Sequence, residues 1–183
     1  MKKSNFLKIF LLSITLILLG GCGSDQFKDY EHYDLKGKEV IPYTVHYDDG
    51  DANYAIADVT KEYKYTELSL YGLFYQVSQD DYILLDTFTP KSSIDSSVKF
   101  YNDKLYVITI GADSGNYVYN LNKSKYKKEK LKFNFDDHFE LTSIKEIENN
   151  EIYFSGIEYS KTNNKVTYRC SLDNDKCEKL EEN

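Results

Sequence analysis

The chain has no tryptophan, one methionine, two prolines, nine glycines and three cysteines among 183 residues. So little proline and glycine excludes a collagenous, polyproline or low-complexity polymer. A metal site on Cys170 and Cys177 would want further ligands nearby, and the three histidines, His32, His46 and His138, stand far off in sequence. There is no Gly-x-Ser-x-Gly elbow, no His-Glu-x-x-His, no phosphate-cradling glycine loop, and no cysteine with a histidine close by. No catalytic residue, metal ligand or cofactor is therefore assigned. Positive charge is in deficit, with 23 Lys and Arg against 30 Asp and Glu, which argues against a nucleic-acid partner. A sustained apolar stripe at i, i+3, i+4, i+7 is also missing, so helix content should be low.

One uncharged run is long enough to matter, and it lies at the start. Lys2, Lys3 and Lys8 precede the apolar run Ile9–Leu19, which is followed by Gly20, Gly21 and Cys22. This is the layout of a secretory signal peptide, and the run is shorter than the ~20 residues that span a bilayer. Leu19-Gly20-Gly21-Cys22 resembles the lipobox of bacterial lipoproteins. The resemblance implies cleavage after Gly21 and a diacylglycerol on the Cys22 thiol. The mature chain would then be anchored by lipid on the extracytoplasmic face of the cell membrane. Residues 1–21 hold three of the lysines and no acid, so their removal takes the formal charge from −7 to −10 over the remaining 162 residues. That length suits one domain with a real core.

Residues 22–38 are polar and show no strand or helix period, as expected of a lipidated cysteine followed by a flexible tether. From Glu39 to the end, short alternating runs rich in tyrosine, valine, isoleucine and phenylalanine predict a single all-β domain over 39–183. Predicted strands are Val40–Tyr47, Tyr54–Val59, two within Tyr63–Val77, Tyr82–Phe88, Val98–Tyr101, Leu105–Ile110, Tyr117–Leu121, Lys130–Phe135, Leu141–Ile147, Ile152–Glu158, Lys165–Ser171 and Lys176–Leu180, with Thr89–Ser97 as a loop.

Two stretches repeat. Phe100–Tyr106 (FYNDKLY) aligns with Ile147–Tyr153 (IENNEIY), each centred on an Asn-Asp or Asn-Asn pair that suits a tight hairpin turn. Tyr119 aligns with Tyr168, and Glu129-Lys130-Leu131 with Glu178-Lys179-Leu180; Tyr75 marks a degraded third copy. Over residues 97–180 the pattern resembles kelch-type β-propeller repeats, and the period of ~50 residues suits that family. The resemblance implies propeller-like blades of antiparallel strands, with Leu105–Ile110 and Ile152–Tyr159 as inner strands. Single glycines, Gly111 and Gly156, stand where kelch repeats carry a pair, and the family's tryptophan is absent. Glu39–Asn183 holds about three blades, so the expectation is a compact four-bladed ring, an open stack of three sheets, a partial propeller completed by another chain, or a β-sandwich.

Cys170 and Cys177 form an even pair outside the cytoplasm and read as a disulfide. A hairpin turn at Asp173-Asn174 would set 172 against 175, 171 against 176 and 170 against 177, making a local staple. The acidic turns Asp48-Asp49-Gly50-Asp51 and Asp173-Asn174-Asp175 lack a distal bidentate glutamate and read as solvated turns rather than Ca²⁺ sites. Lys123–Lys132 carries six lysines and reads as a protected sheet edge. Eighteen tyrosines suit contacts with protein or sugar. The functional expectation is a lipid-anchored binding or interaction lipoprotein whose partner is a protein or polysaccharide. A glycan hydrolase working through Asp and Glu, or an accessory structural lipoprotein, are the alternatives.

Overall fold

The computed structural model describes residues 27, 29–62, 68–111, 114–135, 138–159 and 164–180. Cys22, the lipobox and the signal segment lie outside the described residues. Residues 33–183 form one compact unit and residues 1–32 another. Within the shorter unit Tyr30 meets Phe27 edge-on at 6.0 Å. The packed sheet body begins at Tyr33, inside the stretch read as tether: Leu35 is buried, and Tyr33 stands edge-on to Phe74 at 5.2 Å.

The domain is all-β. Among the described residues thirteen strands form three antiparallel sheets in chain order. The first holds β1 (His32–Tyr33), β2 (Val40–Val45), β3 (Ala52–Asp58), β4 (Tyr71–Ser78) and β5 (Asp81–Phe88), in the order β1-β5-β4-β3-β2. The second is the meander β6 (Val98–Tyr101), β7 (Lys104–Thr109), β8 (Gly115–Asn122) and β9 (Lys125–Lys130). The third is the meander β10 (Phe139–Glu148), β11 (Glu151–Glu158), β12 (Asn164–Ser171) and β13 (Cys177–Leu180). The loop expected at Thr89–Ser97 contains a single helical turn, α1 (Ile94–Ser97).

Side-chain alternation explains how the sheets stack. In β7, Leu105 and Val107 point into one core while Tyr106 and Ile108 point into another, so the middle sheet is buried on both faces. Its first face packs on Val45, Tyr54, Ile56 and Leu73 of the first sheet. Its second packs on Leu141, Ile144, Ile152, Phe154, Val166 and Tyr168 of the third. Each large apolar side chain so buried contributes about 1.5–3 kcal/mol. The outer face of the first sheet, Ala55, Ala57 and Phe74, is covered by Leu35 and Leu70. The third sheet's outer face is polar instead. There Tyr153, Arg169 and Glu178 are cross-strand neighbours, and Arg169 pairs with both Glu151 and Glu178.

The Asn-Asp and Asn-Asn turns form as expected, with Asn102, Asp103, Asn149 and Asn150 all at positive φ. A tyrosine of the preceding sheet holds each of them. The Tyr43 hydroxyl accepts the Asp103 amide at 3.2 Å, and the Tyr101 hydroxyl accepts the Asn150 amide at 3.0 Å. Each turn also bonds inside its own sheet: Leu121 N donates to Asp103 O at 3.1 Å, and Leu172 N to Asn150 O at 2.9 Å.

Several expectations are corrected. The Lys130–Phe135 segment is not a ladder strand. β9 ends at Lys130, and the extended chain beyond it lays Phe133 and Phe135 on Phe154, at 5.2 and 5.6 Å. A period of two requires an extended backbone with one buried face, and a neighbouring sheet face supplies that without strand pairing. The strands expected to be innermost are not at an edge: β6 and β10 lie outside them, and β7 and β11 are second in their sheets. Ladder register sets Leu105 opposite Tyr119 and Ile152 opposite Cys170, so Cys170, not Tyr168, occupies the place of Tyr119. Tyr75 packs toward the second sheet, whereas Tyr119 packs back toward the first. The lysine-rich β9 does lie at a sheet edge, pairing with β8 alone.

Candidate functional site

Because β2–β5 and each of the other two sheets run as meanders, their connections fall at two ends. One end carries the tight turns, including 102–103, 123–124 and 149–150. The other gathers the longer connections, 59–70, 89–97, 110–114, 131–138 and 159–163. Of the four large apolar side chains that are exposed among the described residues, Leu68, Ile110 and Tyr159 all lie at this second end, and Tyr30 belongs to the N-terminal unit.

A cleft of about 320 Å³ opens at the same end, between the first sheet and α1. Its floor is Ile41 and Ile56 from β2 and β3, with Ile94 of α1 across from them. Its rim carries Lys38, Glu39, Asp58, Lys61, Glu62 and the Tyr71 phenol. The volume is in the range of small-ligand sites, as is the mixture of apolar floor and few polar groups. A larger depression of about 690 Å³ lies over Tyr47, Leu121 and Tyr126 at the opposite end, but no carboxylate lines it.

Local chemistry fixes the cleft walls. The Asp58 carboxylate accepts the Thr60 amide at 2.8 Å and the Thr60 hydroxyl, an Asx-type turn that ends β3. The Thr60 oxygen in turn accepts the Leu70 amide at 2.9 Å, and Val59 N donates to Leu70 O at 2.9 Å, closing the neck of the 59–70 connection. Lys38 crosses the cleft mouth, donating to Asp58 O at 3.3 Å and pairing with Glu62.

These contacts set the charge states. Partial burial works to raise the Asp58 carboxyl, but the Thr60 hydrogen bonds and the charges of Lys38 and Lys61 outweigh it and hold the group below its ordinary value. The Lys38 hydrogen bond likewise lowers Glu62. Tyr71 is pushed up by burial first, then by the negative charges of Asp58, Glu39 and Asp95. A second charged group lies beside the third sheet, where Glu140 accepts from Lys91 at 3.0 Å and from the Tyr159 hydroxyl. Those bonds, Tyr159's first, lower Glu140.

Cys170 and Cys177 stand opposite each other in register and form a disulfide, at the tight-turn end away from the cleft. The pairings 170 with 177 and 171 with 176 are as expected, the latter made by Ser171 N donating to Lys176 O at 2.8 Å. The turn is wider than Asp173-Asn174. Leu172 turns its amide to Asn150, and Asp175 N closes on Ser171 O at 3.1 Å, with Asp175 at positive φ. In the acidic turn at 48–51, Asp49 pairs with Lys123 and Asp51 with His46. Among the described residues no three His, Cys, Asp or Glu side chains gather as metal ligands.

The residues that shape the cleft do not stand out in the sequence. Only the Asp58-Val59-Thr60 spacing, typical of an Asx turn, could have marked its edge. No family model, no curated protein and no solved structure matches this chain.

Proposed function

We propose that the protein is a lipid-anchored, extracytoplasmic binding lipoprotein, held to the bacterial membrane through Cys22, that engages a protein or polysaccharide partner with its long-connection end. The observation that carries this reading is the clustering at that end of the cleft and of exposed Leu68, Ile110 and Tyr159. Exposed apolar side chains beside a polar-rimmed depression are what interaction surfaces present. Hydrolysis of a glycan would need one carboxylic acid kept protonated as a general acid. Asp58, Glu62 and Glu140 are held the opposite way, so none of these three suits that role.

Crosslinking on intact cells with a C-terminally tagged chain, followed by mass spectrometry of the linked peptides, tests the reading. One dominant partner joined through Leu68-, Ile110- or Tyr159-bearing peptides is expected. Recovery of the linked peptides only from the polar third-sheet face would refute it. A Cys22→Ser variant should leave the membrane fraction.

A further inference from the structure

The cleft's charges cancel unevenly, and the remainder identifies a ligand. Lys38 is committed to Glu62 and to the Asp58 carbonyl. Lys61 acts on Asp58, whose carboxylate is already filled by Thr60. Glu39 remains, with no ion pair or hydrogen bond among the described residues, on a rim it shares with the Tyr71 phenol above Ile41, Ile56 and Ile94.

One uncompensated carboxylate, one aromatic ring and three aliphatic side chains complement a single chemistry. We infer that the cleft between the first sheet and α1 binds an alkylammonium, with its ammonium at Glu39 and the Tyr71 ring and its aliphatic stem on Ile41, Ile56 and Ile94. Ammonium groups are attracted both to carboxylates and to aromatic faces. The stem replaces water on the apolar floor. Asp95, on α1, adds a further negative charge within reach of Tyr71. Anions are disfavoured there, and a sugar ring would set hydroxyls against three isoleucines. The cleft admits either a free amine or the lysine side chain of a partner protein, since both present the same group. This inference rests on the reading of the long-connection end as the binding surface and specifies what one part of it accepts.

The full-length chain in detergent micelles, titrated calorimetrically with pentylammonium, with pentan-1-ol and with N-acetyl-lysine amide, decides the matter. Pentylammonium should saturate one site while pentan-1-ol does not. Glu39→Gln should weaken pentylammonium about tenfold or more, as expected for loss of a charge-assisted hydrogen bond, and should flatten its salt dependence. Glu39 is exposed, so an unchanged melting temperature will show that the variant still folds. Binding of N-acetyl-lysine amide as tight as that of pentylammonium would place the source in a partner's lysine. Binding of pentylammonium alone would point to a free amine. Equal binding of pentylammonium and pentan-1-ol, or a Glu39→Gln variant that binds as the parent does, overturns the inference. Crosslinked peptides from the same end, obtained independently, would leave the interaction surface standing even then.

Discussion

Tyr43 and Tyr101 do the same work in successive sheets, since each offers a phenolic oxygen to the first turn of the next sheet. The equivalent of Tyr101 in the third sheet is Glu148, because Tyr101 pairs with Lys104 as Glu148 pairs with Glu151. A carboxylate there faces water rather than another turn, in keeping with the polar outer face of that sheet. Tyr101→Phe should therefore lower stability by about 1 kcal/mol, the usual net worth of such a hydrogen bond, with the ring packing left intact. Urea denaturation of the variant checks this, and a change within error of zero would mean that water replaces the phenol at no cost. Such links were not legible in the sequence. It offered eighteen tyrosines without a sign of which hydroxyls bridge sheets, because a long-range contact leaves no local spacing. Glycines show the same limit. Gly111 and Gly156 look like equivalent repeat positions, yet they are glycine for different reasons. Gly111 takes φ +96° in open space, while a β-carbon on Gly156 would fall on the Glu140 carbonyl and the Phe139 ring.

Hairpins were the most legible elements. Alternating hydrophobicity places most strands within two residues, and Asn-Asp and Asn-Asn locate their turns, because both signals are local. The cysteine hairpin was legible to its register, since two cysteines seven apart fix which residues can oppose each other. At the same ladder position the second sheet sets Tyr119 against Lys128, whose ammonium stands 5.3 Å from the ring. A covalent link in one sheet thus replaces a cation–π contact in its neighbour. Cys177→Ser should cost about 2.5 kcal/mol, the loop-closure value for so short a ring, and should raise hydrogen exchange in β13 more than in β11. Exchange monitored by mass spectrometry tests this. Equal loosening of both strands would make the disulfide a support of the whole sheet rather than a staple of its last strand. The cleft was not legible because its lining comes from separated positions, residues 37–41, 56–62, Tyr71 and Ile94. No sequence window contains it.

At the scale of the molecule, an acidic chain rich in tyrosine has an alkaline weakness that follows from its double-sided core. Tyr106 lies in the middle sheet facing the third, and burial, then the neighbouring Tyr101, pushes its phenol up to about 12. Tyr54, buried between the first and second sheets, is pushed up farther, mainly by burial. In the unfolded chain both phenols titrate near ~10. Between the unfolded and folded values the folded protein therefore holds protons that the unfolded chain has released. Stability from these groups is complete below about pH 10 and falls as pH rises toward the folded values. Tyr106 alone should cost about 2–3 kcal/mol by pH 12, since each pH step between the unfolded and folded values removes roughly 1.4 kcal/mol. Denaturant titrations at intervals from pH 8 to 12 should show this decline, and Tyr106→Phe should make it shallower while changing stability little at pH 8. Tyrosinate absorbance should lag behind that of an unfolded control over the same range. If Tyr106→Phe kept the full decline, the loss would belong to the remaining phenols and to repulsion among the acids of a chain whose formal charge is already −7.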